Sequence, residues 1–254
     1  MFCPNCGTEI PDNADFCISC GFSINGAKAA GKEKNISIEI LKRAWSVMLK
    51  KPITLWGLSL LGALLEIIAF LLGGPVIGIG IACGFVLELG LAWVFLDGYR
   101  GKEVNSNQLF EPFKSFWKSF AGMGWRELWI LIWSLIPVVG PVFGVIKGYS
   151  YSLTPYILRE DGDISATDAL KESMKRTEGY KGKMFVTDLL IFVILFVPLL
   201  ILALLGFIPY VGVVFQVIYA LVTLVITAFG GLYTGLVKAA WYEEINDSSE
   251  SDEE

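Results

Sequence analysis

The chain has 254 residues, 54% hydrophobic and 18% charged, with a formal net charge of −5. Soluble domains carry about a quarter charged residues, and the apolar residues here come in long blocks, so the composition points to membrane spans. The charge sits in the C-terminal "DSSESDEE", five acids without a base. The remainder is neutral, which leaves no basic field for nucleic acid, and the absence of histidine excludes imidazole chemistry.

The N-terminal "MFCPNCGTEIPDNADFCISCG" lacks the basic start and apolar stretch of a signal peptide. Cys3, Cys6, Cys17 and Cys20 instead form two C-x2-C pairs around a ten-residue spacer. Four thiolates suit one tetrahedral zinc ion, and a two-residue gap lets both sulfurs of a pair reach it from a tight turn. Gly7 and Gly21 follow the second cysteine of each pair and let each turn close on its sulfurs. A redox dithiol fits less well, because both pairs share the glycine knuckle and no βαβ pattern surrounds them. A catalytic zinc would need an open position that four thiolates do not leave. The expectation is a structural zinc ribbon over residues 1–22 in a reducing compartment, folded by one Zn2+ ion. It resembles the small ribbons at the N-termini of many bacterial and archaeal proteins, which serve as structural or contact modules. Cys83, the fifth cysteine, lies in an apolar block and reads as a packing residue.

Residues 23–35, "SINGAKAAGKEKN", read as a flexible linker. Six apolar spans follow, predicted at Pro52–Gly73, Pro75–Leu96, Trp125–Val139, Pro141–Leu158, Phe185–Phe207 and Val211–Ala239. Their connections alternate between tight uncharged turns and long charged segments. Of 20 Lys and Arg, only Lys147 falls well inside a span. The positive-inside rule then puts the charged side, and both termini, in the cytoplasm of a plasma-membrane protein.

Two of the tight turns read almost alike: "IPVVGPVF" (136–143) and "IPYVGVVF" (208–215) share six of eight residues. Each proline and glycine pair suits a reversal between helices. Each hairpin is preceded by a segment with apolar residues three or four apart: "ISIEILKRAWSVMLKK", "SNQLFEPFKSFWKSF" and "SATDALKESMKRTEGYKGK". Capping residues Asn35, Asn105 and Ser165 open them. The pattern predicts an all-α polytopic membrane protein. Its six transmembrane helices form three hairpins with cytoplasmic interfacial helices, over residues 36–244, behind the small ribbon. Residues 245–254 are expected to form an acidic disordered tail. The interfacial helices suit the headgroup plane and anionic lipid, or cap the bundle on its inner side.

Glu66, Glu88 and Lys147 are the ionisable residues inside the predicted spans. Charge at membrane depth is costly, so each should face the bundle interior and find a partner. Glu66 lies seven residues before Gly73 and Lys147 seven after Gly140, which puts both about 10 Å below the outer turns. The expectation is a Glu66–Lys147 ion pair; the alternative is a proton or substrate site in a polar cavity. Tyr149 and Tyr151 in "KGYSYSLTP" would line such a cavity or bond between helices.

The stretches "LIWSLIPVVG", "IKGYSYSLTPYILRED" and "ATDALKESMKRTEGYKGKMF" resemble the signature of the bacterial and archaeal integral-membrane domain of unknown function 975. The likeness covers most of Ile36 to Glu244. It implies a polytopic membrane fold and supplies no reaction. The sequence holds no nucleophile elbow, P-loop or carboxylate pair with a clear role, so no enzymatic activity is expected. Two functions remain. One is a membrane-anchored interaction or scaffold protein whose ribbon meets a cytoplasmic protein partner. The other is a transporter or lipid-handling protein using Glu66, Glu88 and Lys147.

Overall fold

The computed structural model describes residues 36–50, 52–72, 77–208, 210 and 212–251. The zinc ribbon expected over residues 1–22, with Cys3, Cys6, Cys17 and Cys20 as its expected ligands, and the linker expected over 23–35 lie outside the described residues. The chain divides into two units, residues 1–39 and 40–254, and apart from residues 36–39 the described residues belong to the second. Its helices are α1 (Ile36–Lys50), α2 (Pro52–Leu72), α3 (Ile77–Tyr99), a short α4 (Ser106–Leu109) leading into a 3-10 turn (Glu111–Ser115), α5 (Phe116–Ser134), α6 (Gly140–Ser150), α7 (Thr154–Glu160), α8 (Ala166–Arg176), α9 (Lys181–Leu205) and α10 (Gly212–Ser251). No strand occurs among the described residues.

Within the described residues three stretches are long and apolar enough to cross a membrane: Gly78–Tyr99, Lys181–Leu205 and Gly212–Ser248. Half of the α3 window is buried inside the protein, against 6% for those of α9 and α10. So α3 is the central helix, while α9 and α10 present their apolar faces outward, as spans in contact with lipid would. The expectation of six full spans is not met in the middle of the chain. The helix α5 runs from Phe116 to Ser134, joining the end of the segment before the predicted span at Trp125–Val139 to the first part of that span, and residues 135–139 form the turn. The span predicted at Pro141–Leu158 is two helices, α6 and α7, separated at Tyr151–Leu153. Pro155 explains the break: its missing N–H and fixed φ suit the first turn of α7 and would interrupt a continuous helix.

Small residues set the packing. The antiparallel pairing of α2 and α3 places Gly62 against Leu91 and Gly98 against Leu55, where a Cβ would overlap each leucine. α10 crosses both helices. The indole of Trp56 donates to the Ala228 carbonyl at 3.0 Å and its ring stacks on Phe229. Gly90 brings α3 onto the Leu109 carbonyl of α4, with no room for a side chain. α4 itself is held by a capping box: Asn105 accepts from the backbone N–H groups of Asn107 and Gln108, and the Gln108 side chain accepts from the Asn105 N–H. Ser165 likewise caps α8 by accepting from the Asp168 N–H. The Ser165 hydroxyl and the Lys171 ammonium hold the Asp168 carboxyl below its ordinary range. Among the three predicted caps, Asn35 lies outside the described residues.

The two similar turns also share a backbone conformation. Val138 and Tyr210, at the third position of each phrase, have φ of 69° and 70°. Two residues later the Gly140 and Gly212 N–H groups donate to Ile136 and Ile208, each at 2.8 Å. A Cβ on either glycine would collide with a carbonyl six residues earlier, Ser134 or Gly206. Sequence and geometry therefore repeat together. A β-branched residue is strained at positive φ. Val138 is exposed at the turn, so Val138→Gly should raise stability by about 1 kcal/mol by removing that strain. Thermal unfolding in detergent reads this, and an unchanged or lowered midpoint would count against the turn geometry.

The residues predicted as a disordered tail begin inside α10, which continues through Ser251. Ile245 is buried. Asn246 donates to Glu160 at 3.3 Å, and the Tyr180 hydroxyl donates to Ser248 at 2.8 Å. Arg176 donates to Asn246 Oδ1 at 3.1 Å as well, so an apolar contact and side-chain bonds to neighbouring elements hold this acidic segment. Nearby, Tyr156 and Tyr242 are buried and stack at 4.6 Å, so the best-packed core lies at the charged end of the bundle.

Candidate functional site: a charged cavity in the helix bundle

A cavity of about 490 Å³ opens between α3, α5, α6, α7 and α10. Its charged lining is Glu88 from α3, Arg126 from α5 and Lys238 from α10, with Tyr149, Tyr151 and Tyr156 facing them. Arg126 is nearly buried. Its Nη2 donates to Glu88 Oε1 at 2.7 Å and to Glu127 Oε1 at 2.5 Å, and its Nε donates to the same Glu127 oxygen at 2.8 Å. One guanidinium thus ties two carboxylates from two helices, and its Nε adds a second bond to Glu127 that a lysine ammonium would not reproduce in the same geometry. The Tyr149 hydroxyl donates to Asp188 of α9 at 2.8 Å.

Glu88 also lines a second cavity, of about 310 Å³, together with Glu66, Gly80, Gly84 and Phe85. The missing side chains of Gly80 and Gly84 leave the space into which Glu66 faces. Two of the intramembrane acids predicted from sequence therefore share one cavity. Lys147 does not join them. Its Nζ lies 4.9 Å from the centroid of the Trp133 ring and 5.8 Å from that of Tyr151, an arrangement the ring quadrupoles favour. The expected Glu66–Lys147 ion pair is absent among the described residues. The reason is topological: α6 packs on α5 and α9, whereas α2 packs on α3 and α10. An expected equal depth does not make two helices neighbours.

Sequence reasoning missed Arg126, Glu127 and Asp188, because all three stand near the ends of predicted spans. The "AGMG" at 121–124 reads as an interruption before Trp125. In the folded chain the helix runs through it, and Gly122 admits the Leu158 side chain. Arg126 is therefore in mid-helix, opposite Glu88. A second missed cluster lies at the end of α3. Asp97 is almost wholly buried. It accepts from Arg159 Nη2 at 2.6 Å and from Gln108 Nε2 at 3.2 Å. The Arg159 guanidinium also lies over the Trp93 ring and donates to the Trp93 carbonyl.

The cavity offers fixed charges and phenols and suits binding of a polar group. Among the described residues no three His, Cys, Asp or Glu side chains converge as a metal site. No curated protein and no solved structure matches the chain. A family model described as a zinc-ribbon domain matches residues 2–24, a stretch that includes Cys3, Cys6, Cys17 and Cys20. The chain thus carries a zinc-ribbon domain, with the zinc binding such a domain implies, ahead of its apolar helices.

Proposed function

We propose that the chain is a multi-pass protein of the plasma membrane that holds one zinc ribbon on the cytoplasmic side for contact with a protein partner. The observation that carries this reading is the joining of a zinc-ribbon domain at residues 2–24 to long apolar helices. A zinc ion held by the thiolates of Cys3, Cys6, Cys17 and Cys20 has no open coordination position, so the ribbon acts as a surface and not as a catalyst. In the membrane domain, α2 with α3 and α9 with α10 form two full hairpins, and α5 with α6 and α7 forms a shorter third. Both termini lie on the side that carries most of the Lys and Arg residues, the cytoplasmic side by the positive-inside rule. The motif resemblance to the domain of unknown function 975 agrees with this layout.

The test is mild-detergent purification of the full chain and of the Cys3→Ser/Cys6→Ser variant at equal membrane levels, with zinc content measured in both. The variant should lose its zinc and, with it, a specific co-purifying protein. Loss of zinc with an unchanged set of co-purifying proteins would refute the contact role.

A second reading, transport or lipid handling, is favoured by the Glu88–Arg126–Glu127 cluster lining a cavity of about 490 Å³. Reconstituted liposomes whose solute flux or lipid exchange fell on Glu88→Gln substitution would support it.

A further inference from the structure

Away from the charged cavity, α1, α9 and α10 enclose a slot of about 470 Å³ whose walls are almost wholly apolar. Leu41, Trp45 and Met48 come from α1, Ile191 and Ile194 from α9, and Phe229 from α10. Their spacing on α1, at intervals of four and three, turns one stripe of that helix to the slot.

Depth and charge indicate what fills it. The slot runs along α10 from Val225 to Tyr233, thirteen to twenty-one residues beyond Gly212 at the outer turn. At 1.5 Å per residue that is about 20 to 30 Å below the turn, the inner half of a 30 Å hydrocarbon layer. At the deep end Tyr233 donates its hydroxyl to the Leu41 carbonyl at 3.1 Å, and its ring meets Trp45 edge-on at 6.0 Å. Amphipathic aromatics of this kind mark the membrane interface. Lys42, the next residue along α1, is exposed at that level and has no ion-pair partner among the described residues. Leu49 is exposed on the adjoining face of α1, and Trp45, which lines the slot, is itself half exposed, as in a helix lying in the headgroup plane. An apolar slot below the interface and an unpaired cation one residue beyond Leu41 match the two halves of one amphiphile.

We infer that an inner-leaflet phospholipid with an acidic headgroup occupies this slot, with its acyl chain against Trp45 and Phe229 and its phosphate on Lys42. The inference rests on the membrane reading above. Gly230 supplies a clean probe: it lines the slot, and a Cβ there meets nothing within 4 Å. A leucine at 230 would fill the slot without removing a protein contact, and it favours helix over glycine.

The experiment is native mass spectrometry of the full chain released from nanodiscs holding equal amounts of phosphatidylglycerol and phosphatidylcholine. The wild type should retain one phospholipid, with phosphatidylglycerol preferred. Gly230→Leu should reduce retention about tenfold, the equivalent of some two displaced methylenes. Lys42→Glu should lower the preference for phosphatidylglycerol at least about fivefold while phosphatidylcholine is still held. Undiminished retention in Gly230→Leu, or an unaltered headgroup preference in Lys42→Glu, would overturn the inference. Carbonate extraction separates the two levels of the argument. A chain released by carbonate defeats the membrane reading itself, whereas an embedded chain that retains no lipid defeats only the slot.

Discussion

Asp97→Ala should destabilise the protein by about 3–5 kcal/mol, the cost of leaving one member of a buried ion pair without its partner. The side chain is 2% exposed, and three elements depend on it. Arg159 of α7 reaches it at 2.6 Å and Gln108 of α4 at 3.2 Å, and Lys102 stands 3.6 Å from its other oxygen. The same Gln108 completes the capping box of α4. Trp93, one turn before Asp97, donates its indole N–H to the Pro155 carbonyl at 2.9 Å and lies under the Arg159 guanidinium. Truncating Asp97 therefore strands a guanidinium and loosens both α4 and α7 from α3. Thermal unfolding in detergent should show a large drop in midpoint. The double variant Asp97→Ala/Arg159→Leu should lose less than the sum of its two single changes, because the stranded charge is gone. A loss under about 1 kcal/mol for Asp97→Ala would mean that the pair does not hold this end of the bundle.

The parts of this fold legible from sequence are those governed by local rules. Long apolar blocks located α2, α3, α9 and α10, since length and hydropathy alone set a span. The repeated Ile-Pro-x-Val-Gly phrase located two turns that share positive φ at Val138 and Tyr210. Capping side chains at Asn105 and Ser165 located the starts of α4 and α8. Lateral order was not legible. Glu66 and Lys147 were placed at equal depth, but which helices touch is decided by close approach at glycines such as Gly62, Gly90 and Gly235, far apart in the chain. The break at Tyr151–Leu153 and the continuity through "AGMG" follow the same logic. Proline divided a block that looked continuous, and glycine preserved one that looked divided. The helical end of the chain escaped prediction because its acidic composition suggests solvent. Ile245 and the bonds of Asn246 and Ser248 are visible only once α7 and the start of α9 lie beside it.

Arg126→Met should cost less, about 1–3 kcal/mol, for the opposite electrostatic reason, because the carboxylates it leaves are 40% and 35% exposed and partly screened. Here the cation is removed and two carboxylates remain. Glu88 and Glu127 both contact the one guanidinium, at 2.7 and 2.5 Å, so its loss leaves two like charges close together with no cation between them. Methionine replaces much of the arginine volume, which confines the effect to charge and hydrogen bonding. Arg126→Lys should fall between the wild type and Arg126→Met, because a single ammonium cannot reproduce the guanidinium fork across both acids. The triple variant Arg126→Met/Glu88→Gln/Glu127→Gln should recover most of the stability, since an uncharged cluster of similar volume no longer holds unpaired charge. Denaturation midpoints of the four proteins in one detergent decide the matter. Failure of the two glutamines to rescue Arg126→Met would assign its cost to packing, and the cavity would then owe its shape to side-chain volume instead of the ion pair. Rescue would leave a protein folded like the wild type but without charge at Glu88. That protein separates the two functional readings, because a zinc-ribbon contact would survive in it and any activity housed in the charged cavity would not.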